Sequence, residues 1–169
     1  MARFALVLVA ACGGSNPPAK TIGSIETGSA TPSPSATKGS TGVANLAWGA
    51  SAEIVKAAFP TARALPKGGL QAIGNPDGIG GITSFLLGTM GLERINIDWT
   101  PVFPTMSECM KVWRKLRGTY DARFAVASQS ANGAAYWNLP TVDVTIACNP
   151  NETGTAALSA NFVPPPAAE

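Results

Sequence analysis

Few side chains in this 169-residue chain are equipped for chemistry, and histidine is absent. Without an imidazole there is no ordinary general base near neutral pH, no Ser-His or Cys-His nucleophile pair, and no zinc site built on ring nitrogen. Hydrolysis would then fall to a carboxylate pair. Asp98 and Asp143 are the candidates, each on the polar side of an alternating stretch. Nothing else converges on them, and solvated aspartates are common at such positions, so catalysis is the alternative reading and binding the primary one. Ser35-Ala36-Thr37-Lys38 has the Ser-x-x-Lys spacing of a lysine-activated nucleophile but stands in a run of small residues without the accompanying motifs. The glycine-rich stretch from Lys67 to Gly81 has neither phosphate-cradling spacing and reads as a turn-rich connection between strands. Lys111, Arg114 and Lys115 share one arc of a helical segment, where they can touch anionic headgroups or acidic polymers. With Glu108 three residues before Lys111, the same arc also reads as an ordinary solvated helix face.

Charge and composition narrow the classes further. Twelve Lys and Arg against ten Asp and Glu leave a net charge of +2, too balanced for a protein that grips nucleic acid through its phosphates. No cofactor motif and no metal-ligand spacing occurs, and no run of eighteen apolar residues spans a bilayer. Apart from Phe4, every aromatic residue lies between Trp48 and Phe162, so one core is expected within that window.

The first residues are an address. Arg3 precedes a short apolar run, and Val9-Ala10-Ala11-Cys12 resembles the lipobox of bacterial lipoproteins, in which the cysteine is diacylated and becomes the new N-terminus. That resemblance implies a signal peptide over 1–11, a membrane anchor at Cys12, and an oxidising compartment for the rest. Gly13, where enteric sorting rules place Asp for inner-membrane retention, points to the outer membrane, facing the periplasm. Residues 13 to 46 hold six Gly, six Ser, five Thr and four Pro, with Lys20, Glu26 and Lys38 the only charges. Such a segment cannot bury enough apolar surface to offset its ordering entropy, so 12–46 reads as a disordered tether, reaching roughly 30 to 40 Å.

With Cys12 assigned to lipid, Cys109 and Cys148 remain as a pair. Both face inward from their elements, and an oxidising compartment favours a disulfide over two buried thiols acting as small hydrophobes. They are too far apart in sequence for a Cys-x-x-Cys redox site.

The elements that must position these groups begin at Ser51, an N-cap for a short helix carrying Ile54, Val55, Ala58 and Phe59 and stopped by Pro60. Asn75-Pro76-Asp77-Gly78 has the residues of a tight turn. Ile82 to Leu87 and the alternating Leu92 to Trp99 form a hairpin around Gly88 to Gly91, with Arg94, Asn96 and Asp98 on a wet sheet face that also carries Thr141, Asp143 and Thr145. Thr105-Met106-Ser107-Glu108 is a capping box that opens a helix over 106–117, with Cys109, Val112, Trp113, Leu116 and Tyr120 following at helical spacing and Gly118 suited to its C-terminal cap. Strands are expected at Arg123 to Ser128, Ala134 to Asn138, Thr141 to Cys148 and Ala157 to Val163. Two helices, each followed by antiparallel strands, make a single α+β domain over 47–163, with both helices on one face of the sheet and a disordered tail over 164–169. The four Trp residues, 48, 99, 113 and 137, fall on inward positions or element edges and read as core.

Leu46 to Val55, Gly91-Leu92 leading a strand, Leu116 to Tyr120, and Trp137 before Thr141 to Ile146 together resemble the helix-plus-antiparallel-sheet modules of small barrel-assembly lipoproteins and of secreted β-lactamase inhibitor proteins. Those proteins bind other macromolecules and are not enzymes. The resemblance therefore implies a lipid-anchored, non-catalytic protein with a binding or maintenance role in the envelope, its partner an envelope protein or a cell-wall polymer. It carries no functional residue across, and the alternative remains a periplasmic hydrolase using Asp98 and Asp143.

Overall fold

The computed structural model describes residues 39–167. In chain order they form α1 (Ala52–Ala58), β1 (Arg63–Ala64), β2 (Leu70–Gly74), β3 (Gly81–Gly88), β4 (Gly91–Trp99), α2 (Met106–Phe124), β5 (Gln129–Ala131), β6 (Ala134–Asn138), β7 (Asp143–Pro150) and β8 (Ala156–Val163). All eight strands join one antiparallel sheet in the order β1-β2-β3-β4-β8-β7-β6-β5, an α+β domain.

The order shows an internal repetition. A helix followed by a four-stranded meander occurs twice, and the two meanders meet through their last strands, β4 and β8. β2 and β6 have five residues each, and β3 and β7 have eight each. Asn96 and Asn161, each the sixth residue of its strand, are paired where β4 meets β8, so an approximate two-fold axis passes through that pair.

Strand alternation divides the side chains between two faces. Leu70, Phe85, Ile95, Phe162, Val144 and Trp137 form one cross-strand row over six strands, and all are buried. Ala72, Thr83, Ile97, Ala160, Ile146 and Ala135 form the adjacent row and are buried as well. α2 lies across β7 and β8, where Tyr120 packs 5.6 Å from the Trp137 ring and 6.2 Å from that of Phe162. Cys109 and Cys148 are joined there, their Cα atoms 6.1 Å apart, as expected from their inward facing.

Four expectations need correction. α2 does not end at Gly118 but runs on to Phe124, and the strand expected over Arg123–Ser128 is absent. Arg123 and Phe124 close the helix, and residues 125–128 form a bend that leads into the short β5. The physical reason is burial. A helical glycine costs about 1 kcal/mol, while about two more turns place the fully buried Tyr120 and the half-buried Phe124 against the core. Next, the stretch Lys67–Gly81 is more than a connection, since β2 lies within it with Leu70 and Ala72 buried. Gly69, at φ 93°, brings the chain so close to the Phe85 carbonyl that a Cβ would collide with it. Third, of the apolar arc on α1 only Val55 is buried, and Ile54 is 55% exposed. Last, the domain does not start at 47. Ser40 pairs with Ala47, and Thr41 is fully buried with its hydroxyl donating to the Leu46 carbonyl at 3.0 Å. The polar composition of 39–46 concealed a structured turn. Cys12, Gly13, the Ser35–Lys38 motif and the tether up to residue 38 lie outside the described residues.

Candidate functional site

The side chains singled out for chemistry are not brought together. Asp98 pairs with Ser159 of β8, which pairs with Ala147 of β7, whereas Asp143 lies four residues further along β7. At about 3.3 Å per residue and 4.8 Å per strand, the two carboxylates are roughly 16 Å apart. Carboxylates acting on one glycosidic bond stand about 5 to 9.5 Å apart. Lys111, Arg114 and Lys115 are exposed on α2, with Lys111 paired to Glu108 at 2.6 Å and the other two forming no ion pair among the described residues. All four indole N–H groups are used inside the fold. Trp48 donates to the Thr141 carbonyl, Trp99 to that of Pro76, Trp113 to that of Ile146, and Trp137 to Asp121 and the Ala125 carbonyl. The tryptophans are structural, as their positions indicated.

What the fold does assemble is the second face of the sheet. Gln71, Ser84, Asn96, Asn161, Thr145, Tyr136 and Gln129 form one row across seven strands, and all are half-buried or exposed. Six inter-strand steps make this row roughly 29 Å long. Every member can hydrogen-bond and none carries a full charge at neutral pH. Gln71 donates to the Ser84 hydroxyl at 3.4 Å. At the centre, beside the two-fold axis, the Asn161 Oδ1 is buried with no hydrogen-bond partner among the described residues.

Towards β1 the face becomes concave, because the β1–β2 loop stands above it. Two adjoining troughs, of about 330 and 410 Å³, share Leu65, Gly68 and Leu86. Ser84, Arg94 and Asn96 line the first, Pro66 and Lys67 the second. Neither Arg94 nor Lys67 has an ion pair among the described residues. An apolar slot bounded by free cations and amides is equipped to seat a partner's side chain and anchor the polar group beside it. Sequence reasoning placed Arg94, Asn96, Asp98, Thr141, Asp143 and Thr145 together on one polar sheet face. It missed Gln71, Ser84, Asn161 and Tyr136, because the strand order and register that align them with that face are set by long-range pairing.

The other face has a second concavity, near its centre. A cavity of about 410 Å³ is bounded by Val43, Phe59, Pro76, Asp77, Thr83, Ile97 and Arg123, among others. Asp77 sits at φ 53°, a left-handed conformation that Asp tolerates better than most residues. Its carboxylate, 6% exposed, accepts from the Tyr120 hydroxyl at 3.1 Å and from Arg123 at 2.9 Å. The Arg123 guanidinium lies over the Tyr120 ring at 5.3 Å. Burial, reinforced by the nearby Asp77 charge, pushes the Tyr120 phenol well above its ordinary value, so it stays protonated as a donor. The Asn-Pro-Asp-Gly turn was legible in sequence; that its aspartate would meet residues 43 and 46 positions away was not.

Among the described residues no group of three or more His, Cys, Asp or Glu is placed to hold a metal, and no helix is long and apolar enough to cross a membrane. No protein family matches the chain, and neither a characterised protein nor a solved structure resembles it at a significant level.

Proposed function

We propose that this chain is a lipid-anchored protein of the bacterial envelope, whose folded domain binds a macromolecular partner across the second face of its sheet and does no chemistry of its own. The observation that carries the reading is the seven-strand row from Gln71 to Gln129, broad, uncharged and ending in the trough beside Leu65 and Leu86. A reacting site concentrates a few perturbed groups in a cleft; this surface spreads ordinary hydrogen-bonding groups over a length suited to another macromolecule. Both helices belong on the opposite face in this reading. In support, Phe59, just after α1, packs 4.7 Å from Phe85, and Tyr120 of α2 packs on Phe162, Phe85 and Phe162 being members of one buried row. The partner is an envelope protein or a cell-wall polymer.

The anchor rests on Val9 to Cys12, with Gly13 directing the protein to the outer membrane, facing the periplasm. Metabolic labelling with a palmitate analogue should tag the protein, and Cys12→Ser should abolish the tag; equal labelling of the mutant refutes the anchor. For the face, a photo-crosslinking amino acid at Tyr136, 39% exposed on that row, should form a discrete adduct in intact cells. The same probe at exposed Ala57 on α1 should not. Adducts from both positions alike, or from neither, refute the assignment of the face.

A further inference from the structure

The cavity on the helix side has a chemistry of its own, distinct from the sheet face. Phe59 and Ile97 are among the residues that line it, and it adjoins a smaller cavity of about 220 Å³ that shares Phe59, Pro76 and Thr83. Thr83 is only 5% exposed, yet its hydroxyl makes no hydrogen bond with any described residue. Among the described residues the Asn161 Oδ1 is the buried side-chain polar atom left without a partner, so the Thr83 hydroxyl is not sealed from water and keeps its hydrogen-bonding capacity free for a ligand. It lines both cavities. At one end stand the Asp77 carboxylate and the Arg123 guanidinium, 2.9 Å apart. Each keeps capacity beyond its internal bonds: the carboxylate has about four acceptor sites and the guanidinium five donors. Together they carry no net charge, so a lone anion or a lone cation meets one attractive and one repulsive partner. A group that offers an N–H beside a C=O satisfies both at once.

We propose that this cavity is a binding site for a small uncharged ligand with an apolar body and an amide-like head, the body lying between Phe59 and Ile97 and the head meeting Asp77, Arg123 and the Thr83 hydroxyl. Two of the residues that line the cavity, Ala44 and Asp77, hold left-handed backbone at φ 45° and 53°.

Three probes of one size distinguish the chemistry: benzamide, benzoate and benzylammonium, each titrated at millimolar concentration into the isotopically labelled protein while backbone amide resonances are followed. Benzamide should shift Asp77, Thr83 and Ile97 saturably, and the two charged probes should bind roughly fivefold or more weakly, the loss expected for one hydrogen bond. The nearly isosteric Thr83→Val should weaken benzamide by a similar roughly fivefold factor with its melting temperature maintained. Equal affinity for the three probes overturns the proposal. So does the absence of a saturable shift at those residues, or undiminished benzamide binding by Thr83→Val.

Discussion

Replacing both half-cystines, Cys109→Ala with Cys148→Ala, isolates what the cross-link contributes. The bond spans 39 positions, and the chain-entropy relation assigns closure of such a loop about 13 cal/mol/K, or about 4 kcal/mol at 25 °C. Both residues are buried between α2 and β7, so deleting the sulfurs should cost on the order of 1 kcal/mol more in lost packing. At about 2.1 cal/mol/K per residue, the 129 residues from 39 to 167 unfold with an entropy near 0.27 kcal/mol/K, so 4 kcal/mol corresponds to about 15 °C in the midpoint. The assay is thermal unfolding by circular dichroism of oxidised wild type, reduced wild type and the double variant. The last two should melt within a few degrees of each other, separating the cross-link from the packing around it. A variant melting less than about 4 °C below the oxidised protein would refute the loop-entropy argument. Two alkylatable thiols in unreduced, denatured wild type would refute the bond itself.

Three further outcomes are expected. Gly118 lies inside α2, and an added Cβ would meet nothing within 4 Å, so Gly118→Ala should stabilise by about 1 kcal/mol in chemical denaturation. Gly91→Ala should do the reverse, by several kcal/mol, because Gly91 sits at φ 92° and its new Cβ would collide with the Gly49 carbonyl. Tyr120 is raised in the fold, so above about pH 10 the unfolded chain releases a proton that the folded one retains, and stability should fall by up to about 1.4 kcal/mol per pH unit. Tyr120→Phe should flatten that slope in urea unfolding measured across the alkaline range; an unchanged slope would contradict the assignment.

The parts of the fold that were legible in sequence are those set by local chemistry. The Thr105 to Glu108 motif opens α2 as expected, the Thr105 hydroxyl accepting from the Glu108 amide at 3.3 Å. The β3–β4 hairpin follows from Gly88 to Gly91 and the alternation after it, and the inward facing of Cys109 and Cys148 survives intact. The misses arise where a distant contact overrides a local signal. Gly118 is a helix terminator only if nothing beyond it is worth burying, and Tyr120 against Trp137 and Phe162 is. Asn132 and Gly133, both at positive φ, do mark a turn, but it joins β5 to β6 and not the longer strand expected before it. The second face was legible in part, through Asn96 and Thr145, but its full extent was beyond reach for a related reason. Alternation tells which residues of a strand share a side, but Asn96 and Asn161 become neighbours only through a pairing 65 positions apart.

That pairing also decides how the sheet ends. Taken singly, each meander would terminate in a long strand, β4 with nine residues or β8 with eight, displaying a row of unsatisfied amides that invites another chain to continue the ladder. In the complete domain those two strands consume each other. The outermost strands left are β1, with two residues, and β5, with three. So short a margin offers a newcomer almost nothing to extend. Coupling the halves thus terminates the sheet against growth as well as enlarging it.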